Sequence, residues 1–128
     1  MILAILQARL SSTRLPGKVL KPILGKPMLQ LQVERIKRSQ RIDHLIIATS
    51  ADATDDAIET FCEQNKISCF RGSKDDVLDR YYLSARKHQP KTVVRITGDC
   101  PIIDPKIVDK SIKKFERKKV HYLNNVTP

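Results

Sequence analysis

Two segments of the chain carry residue types suited to phosphate chemistry. The first is Ala8-Arg9-Leu10-Ser11-Ser12-Thr13-Arg14-Leu15-Pro16-Gly17-Lys18, which places three cations, three hydroxyls and a Pro-Gly turn directly after an apolar run. Backbone N–H groups, hydroxyls and Arg or Lys side chains together can hold a polyanion in a fixed geometry. Gly17 lets the backbone approach closely. On composition alone, a solvated basic loop accounts for the segment equally well. The glycine spacing of the P-loop and of the dinucleotide fingerprint is absent. The second segment runs from Arg95 to Pro105, where Asp99 follows an apolar run and Gly98. Its hard oxygens suit a magnesium ion that bridges phosphates, and the plain alternative is a turn-forming Asp after a glycine. Asp104, just before Pro105, reads as a helix cap.

The elements that must position these segments follow from hydrophobic periodicity. Strands are expected at Ile2 to Gln7, His44 to Thr49, Ser68 to Phe70 and Thr92 to Thr97, with His121 to Asn124 as a further candidate. Helical patterns fall between them: Leu29, Val33 and Ile36; Ala57, Ile58, Phe61 and Cys62; Val77, Leu78, Tyr81, Tyr82 and Ala85; then a lysine-rich stretch after Pro105. Pro27 suits a first helical turn, and Ser73 with Asp76 resembles a capping box. This alternation predicts a parallel sheet covered by helices on both faces. Ligands of such sheets bind at the carboxyl ends of the strands, where both segments start.

With 128 residues, 41% of them hydrophobic, the chain supports one modest core and one domain. The opening Met1 to Leu6 run lacks a basic flank and meets Gln7 and Arg9 too soon for a signal peptide. No stretch reaches membrane-spanning length. The expectation is a cytoplasmic protein with no membrane partner. Cys62, Cys69 and Cys100 lack the paired spacing of a zinc site, and reduced, mostly buried thiols are expected. The histidines, His44, His88 and His121, are scattered and stand near no nucleophile and carboxylate pair, so none is given a catalytic role.

The formal charge of +10 raises nucleic acid as a partner. Residues 1 to 50 hold 9 basic and 2 acidic side chains, 51 to 100 hold 8 and 9, and 101 to 128 hold 7 and 3. The C-terminal lysines alternate with Ile107, Val108, Ile112 and Phe115 at helical spacing, which makes them a solvated helix face. Aromatic content is 5%, and the tyrosines fall in a helical stripe, not a stacking platform. Nucleic-acid binding therefore ranks last among the readings.

The wording and order of these segments are similar to the cytidylyltransferases that activate keto-deoxy sugar acids and sialic acids. Arg9 to Lys18 resembles the family signature, and the spore-coat polysaccharide biosynthesis branch is the closer match. The resemblance extends through Ala48-Thr49-Ser50, Arg71-Gly72-Ser73, Asp76 to Tyr82 and Arg95 to Pro101, and ends near Asn125. It implies a Rossmann-like three-layer α/β/α nucleotide-diphospho-sugar transferase fold. The implied reaction is attack by a sugar or sugar-acid oxygen on the α-phosphorus of CTP, with release of pyrophosphate. By motif match, Arg9 and Lys18 grip the phosphates, Ser12 and Arg14 assist, and Asp99 binds Mg2+. Leu6, Ala8, Thr49, Ser73 and Arg80 are the implied lining of the cytosine and ribose pocket. For Arg80, an intrahelical pair with Asp76 is the competing reading.

Family members also carry a distal half with most acceptor contacts, a dimerisation segment and further acidic residues. The chain is therefore expected to be a truncated fold, the N-terminal, nucleotide-binding part of a cytidylyltransferase domain over residues 1 to 128. An unfinished sheet edge invites self-association as a homodimer. A nucleotide-binding remnant without turnover is the principal alternative.

Overall fold

In the computed structural model, which describes residues 1–10, 17–98, 103–119 and 122–123, the continuous aliphatic run Ile2–Gln7 is strand β1. Leu3, Ala4, Ile5 and Leu6 are all fully buried. A strand without polar alternation must be covered on both faces, and β1 lies inside the sheet. The chain continues through a short 3-10 turn at Lys18–Leu20 into a small hairpin, β2 (Pro22–Ile23) and β3 (Lys26–Pro27). Its turn residues, Leu24 at φ 52° and Gly25 at φ 84°, are both left-handed, as a two-residue hairpin with right-twisted strands requires.

Then follow α1 (Met28–Ile36), β4 (His44–Ser50), a 3-10 turn at Ala53–Asp55, α2 (Asp56–Gln64), β5 (Ser68–Gly72), α3 (Val77–His88), β6 (Thr92–Thr97) and α4 (Pro105–Lys118). The main sheet has the order β5-β4-β1-β6 and is parallel throughout. Leu6 pairs with Ile47 and Ile96, and these three pack with Leu29, Val33 and Ile36 of α1 and Ile58, Phe61 and Cys62 of α2. On the other face Leu3, Ile5, Ile46 and Ala48 pack against Tyr81, Val77 and Ala85 of α3. This is the expected three-layer α/β/α arrangement. α4 docks near the end of α1, where Asp109 accepts from the Ser39 hydroxyl and from the Gln40 N–H (2.9 Å).

Several local expectations are corrected. α3 is capped by Asp76, whose carboxylate accepts the Asp79 N–H at 2.9 Å, while Ser73 Oγ accepts from Asp76 N–H at 3.1 Å. The helix therefore starts three residues later than a box opened by Ser73. Pro27 precedes the first turn of α1 and sits in β3. Leu78 and Tyr82, read as part of the apolar stripe of α3, are 70% and 60% exposed; the buried line is Arg80, Tyr81 and Ser84, with Val77 partly buried one turn before it. Asp104 caps α4 through the Lys106 N–H (2.8 Å), as expected. The α4 lysines are exposed and Ile112 is buried. Of the candidate strand at 121 to 124, the described residues Tyr122 and Leu123 are not in a strand.

Candidate functional site

The four parallel strands end at Gln7, Ser50, Gly72 and Thr97, so the segments that follow them gather along one edge of the sheet. The chain also reverses its build direction at β1: β4 and β5 extend one way, and α3 carries the chain back to β6 on the other side. Ligand crevices in open α/β sheets form at such a reversal.

The exit from β1 is held at three points. The Ala8 N–H donates to the Ala48 carbonyl (3.1 Å), the Leu10 N–H to Asp55 Oδ1 (2.7 Å), and the Gly17 N–H to the Leu10 carbonyl (2.8 Å). Leu10 and Gly17 thus stand in contact and form a fixed neck beside the exit of β1. Gly17, at φ +73°, occupies the left-handed region that favours glycine. Asp55 is fully buried and takes the Ser50 hydroxyl on its second oxygen, so both carboxylate oxygens serve the neck and β4.

Arg9 crosses from this neck to the segment after β5, where its Nη1 donates to the Lys74 carbonyl at 2.8 Å. Arg71 also bridges loops. Its Nε donates to the Ser50 carbonyl (2.9 Å), Nη2 to the Asp52 carbonyl (2.7 Å), and Nη1 pairs with Asp56 (2.8 Å). The Asp56 bond raises the Arg71 guanidinium above its ordinary value. Its nitrogens are committed to structure.

Arg80 is different. The residue is fully buried, and Nε, Nη1 and Nη2 have no hydrogen-bond partner among the described residues. Its stem lies against Gly72: a Cβ on that glycine would sit 3.1 Å from Arg80 Cγ and 2.9 Å from the Phe70 ring. Burial pushes the guanidinium below its ordinary value, the Arg9 charge adds to this, and Asp55 opposes it. The intrahelical pair with Asp76 does not form; Asp76 is occupied as the α3 cap.

The end of β6 is fixed from both faces. Gln32, buried in α1, donates Nε2 to the Thr97 carbonyl (2.6 Å), and the Tyr81 hydroxyl donates to the Ile96 carbonyl (3.3 Å). Arg95 stacks 4.3 Å over the Tyr81 ring. At Gly98 a Cβ would stand 2.6 Å from the Gln7 carbonyl oxygen, so glycine is what lets the β6 exit press against the β1 exit.

Of the expected site residues, Arg9, Ser73 and Arg80 belong to the segments collected at this edge, with Ala8 buried beneath them. Leu6 and Thr49 are fully buried on the α1 and α2 face, and Thr49 Oγ1 has no hydrogen-bond partner among the described residues. Ser12, Arg14, Asp99 and the Lys18 side chain lie outside the described residues. Sequence reasoning missed Asp55, Ser50 and Gln32. Asp55 is hidden in the run Asp52 to Asp56, which reads as a solvated turn; the usable signal is Ser50 directly at the strand end with an acid five residues on. No group of three or more His, Cys, Asp or Glu among the described residues could hold a metal, and no described helix is long and apolar enough to cross a membrane. Cations, backbone donors and a fixed neck favour holding and aligning a polyanion.

The chain is similar to known proteins in both sequence and fold. The chain is 42% identical over 116 residues to the spore coat polysaccharide biosynthesis protein SpsF of Bacillus subtilis, covering 88% of this chain and 48% of that protein. Its structure resembles a cytidylyltransferase from Leptospira borgpetersenii at TM-score 0.87 and 36% identity, covering 92% of this chain and 50% of the other. It also resembles a CMP:2-keto-3-deoxy-manno-octonic acid synthetase complexed with CTP at TM-score 0.74 and 26% identity, covering 93% and 48%. The chain spans about half the length of the curated relatives it matches. The family model for cytidylyltransferases matches residues 3–127, and the chain belongs to that family.

Proposed function

We propose that this chain forms the nucleotide-binding part of an enzyme that transfers the cytidylyl group of CTP to a sugar or sugar-acid oxygen in surface polysaccharide biosynthesis. The observation that carries the reading is Arg9 at the β1 exit, beside the neck that Asp55 and Gly17 form with Leu10, reaching the segment after β5. In the reaction, the acceptor oxygen forms a bond to the α-phosphorus, the bond from that phosphorus to the bridging oxygen breaks, and pyrophosphate leaves with the electron pair. Such a transfer needs alignment and charge neutralisation more than covalent catalysis.

Arg9 and Lys18 hold the phosphates, with Ser12 and Arg14 assisting, and Lys18 stabilises the leaving pyrophosphate. Leu6, Ala8, Thr49, Ser73 and Arg80 line the nucleoside side of the pocket. A magnesium ion fits this scheme in one respect that the fold supports: Gly98 brings the exit of β6 against β1, and Asp99 follows it in sequence. Magnesium sites commonly take one or two carboxylates with the remaining ligands from phosphate and water. When bound, the ion would neutralise phosphoryl charge. The SpsF relative is named for spore coat polysaccharide synthesis, and the octonic acid synthetase was solved with CTP; both support this reading.

The test is pyrophosphate release from CTP and magnesium in the presence of a panel of sugar phosphates and keto-deoxy sugar acids. Release that requires an acceptor supports the proposal. CTP binding with no release from any acceptor would reduce the chain to a binding part without turnover.

A further inference from the structure

Arg80 presents an unusual combination: a fully buried guanidinium, three nitrogens without hydrogen-bond partners among the described residues, and a second cation nearby. A buried charge without hydrogen bonds is costly, and such groups are ordinarily paired. The acid that attracts it is Asp55, but both Asp55 oxygens already accept hydrogen bonds, from the Leu10 N–H and the Ser50 hydroxyl. Asp76, one helical turn away, is spent on the α3 cap. Arg71, by contrast, shows what a satisfied arginine looks like in this fold, with carbonyl and carboxylate partners on all three nitrogens.

We infer that Arg80 is the buried anion anchor of the nucleotide site, kept without a protein counter-ion so that a phosphate group of the ligand completes its hydrogen bonds. The inference rests on the nucleotide reading and refines it, moving Arg80 from the base and ribose side of the pocket to the phosphates. A base carbonyl is neutral and would leave the guanidinium charge uncompensated. A phosphate oxygen pair matches the planar fork of Arg and adds the charge. It would also relieve the repulsion between Arg80 and Arg9. Because Arg80 is fully enclosed, the groups around it must shift as the anion arrives, which couples binding to a local rearrangement. The ligand-free protein is thereby less stable than it could be, a trade found where a site carries uncompensated polar groups.

The experiment measures the melting temperature of the chain and of Arg80→Met and Arg80→Lys, alone and with inorganic pyrophosphate, CTP or cytidine. For the unsubstituted chain, pyrophosphate and CTP should both raise the melting temperature. Arg80→Met should melt a few degrees higher than the unsubstituted chain without ligand, and should lose most of the pyrophosphate shift together with about tenfold or more in CTP affinity. Arg80→Lys should fall between the two. An Arg80→Met chain that melts lower or fails to fold would identify a structural cation and overturn the inference. A pyrophosphate shift retained by Arg80→Met would overturn it as well. A CTP response without any pyrophosphate response in the unsubstituted chain overturns the phosphate assignment and leaves the nucleotide site standing. No response to CTP sinks both.

Discussion

Asp55 accepts the backbone N–H of Leu10 at 2.7 Å across 45 positions of sequence, and so ties the turn before α2 to the basic segment after β1. Its other oxygen takes the Ser50 hydroxyl. One buried carboxylate thus sets where the segment leaves the sheet. Asp55→Ala would leave both donors without their acceptor, which should cost about 2–4 kcal/mol of folding stability. Urea unfolding checks this, and Asp55→Asn, which keeps one acceptor oxygen, should lose less. Equal stability of Asp55→Ala and the unsubstituted chain would mean that the neck is held by other groups.

Gly98 should tolerate no side chain. A methyl group there meets the Gln7 carbonyl oxygen at 2.6 Å and Ala8 Cβ at 3.1 Å, so β6 or the β1 exit must move. Gly98→Ala is expected to lose about 1–3 kcal/mol. Gly17 has open space around its Cβ position but a φ of +73°, so Gly17→Ala should cost roughly 1–2 kcal/mol through backbone strain alone. Thermal melting of the pair separates steric from conformational demand.

The phosphate-holding roles predict a binding loss that outweighs any folding loss. Lys18→Ala and Arg9→Ala should each weaken CTP by about tenfold or more, since a charge-assisted contact to phosphate is lost. Arg9 also holds the Lys74 carbonyl, and that exposed hydrogen bond should cost at most about 1 kcal/mol. A Lys18→Ala chain that binds CTP unchanged would remove Lys18 from the site.

Acid sensitivity should trace in part to Asp52. The Thr54 N–H, and then the Thr54 hydroxyl, hold its carboxyl below the ordinary carboxylate value, with Lys74 adding to the effect. A carboxyl lowered by folding contributes stability that is present above its unfolded value, and that contribution is lost as pH falls through the lower, folded value. Asp52→Asn keeps a capping oxygen and removes the titration, so its melting temperature should fall less than that of the unsubstituted chain between about pH 5 and pH 3. Identical pH profiles would show that other carboxylates carry the acid transition.

The four strands of the main sheet and the start of α4 at Asp104 and Pro105 were legible in the sequence because each rests on a local pattern. An aliphatic run such as Ile2 to Leu6 has few alternatives, and an Asp-Pro pair marks a helix start. The α3 stripe was less legible. Leu78 and Tyr82 look apolar by type, yet the buried line includes Arg80, whose charge disguises it in any hydrophobic count. The contacts that organise the site were hidden for a related reason. Asp55 to Leu10, Gln32 to Thr97 and Arg9 to Lys74 join residues 45 to 65 positions apart. No local pattern encodes such pairs, since they exist only once the parallel crossovers have brought the strand ends together. The small hairpin at Pro22 to Pro27 escaped notice because its strands are two residues each.

Calorimetric titration of the chain with CTP, ATP and GTP, with and without magnesium, tests the central claim most directly. The account predicts binding that prefers CTP, strengthens with magnesium, and weakens in Lys18→Ala and Asp99→Ala. Equal binding of the three nucleotides, or none of CTP under any condition, would contradict a cytidine nucleotide site at the carboxyl edge of this sheet.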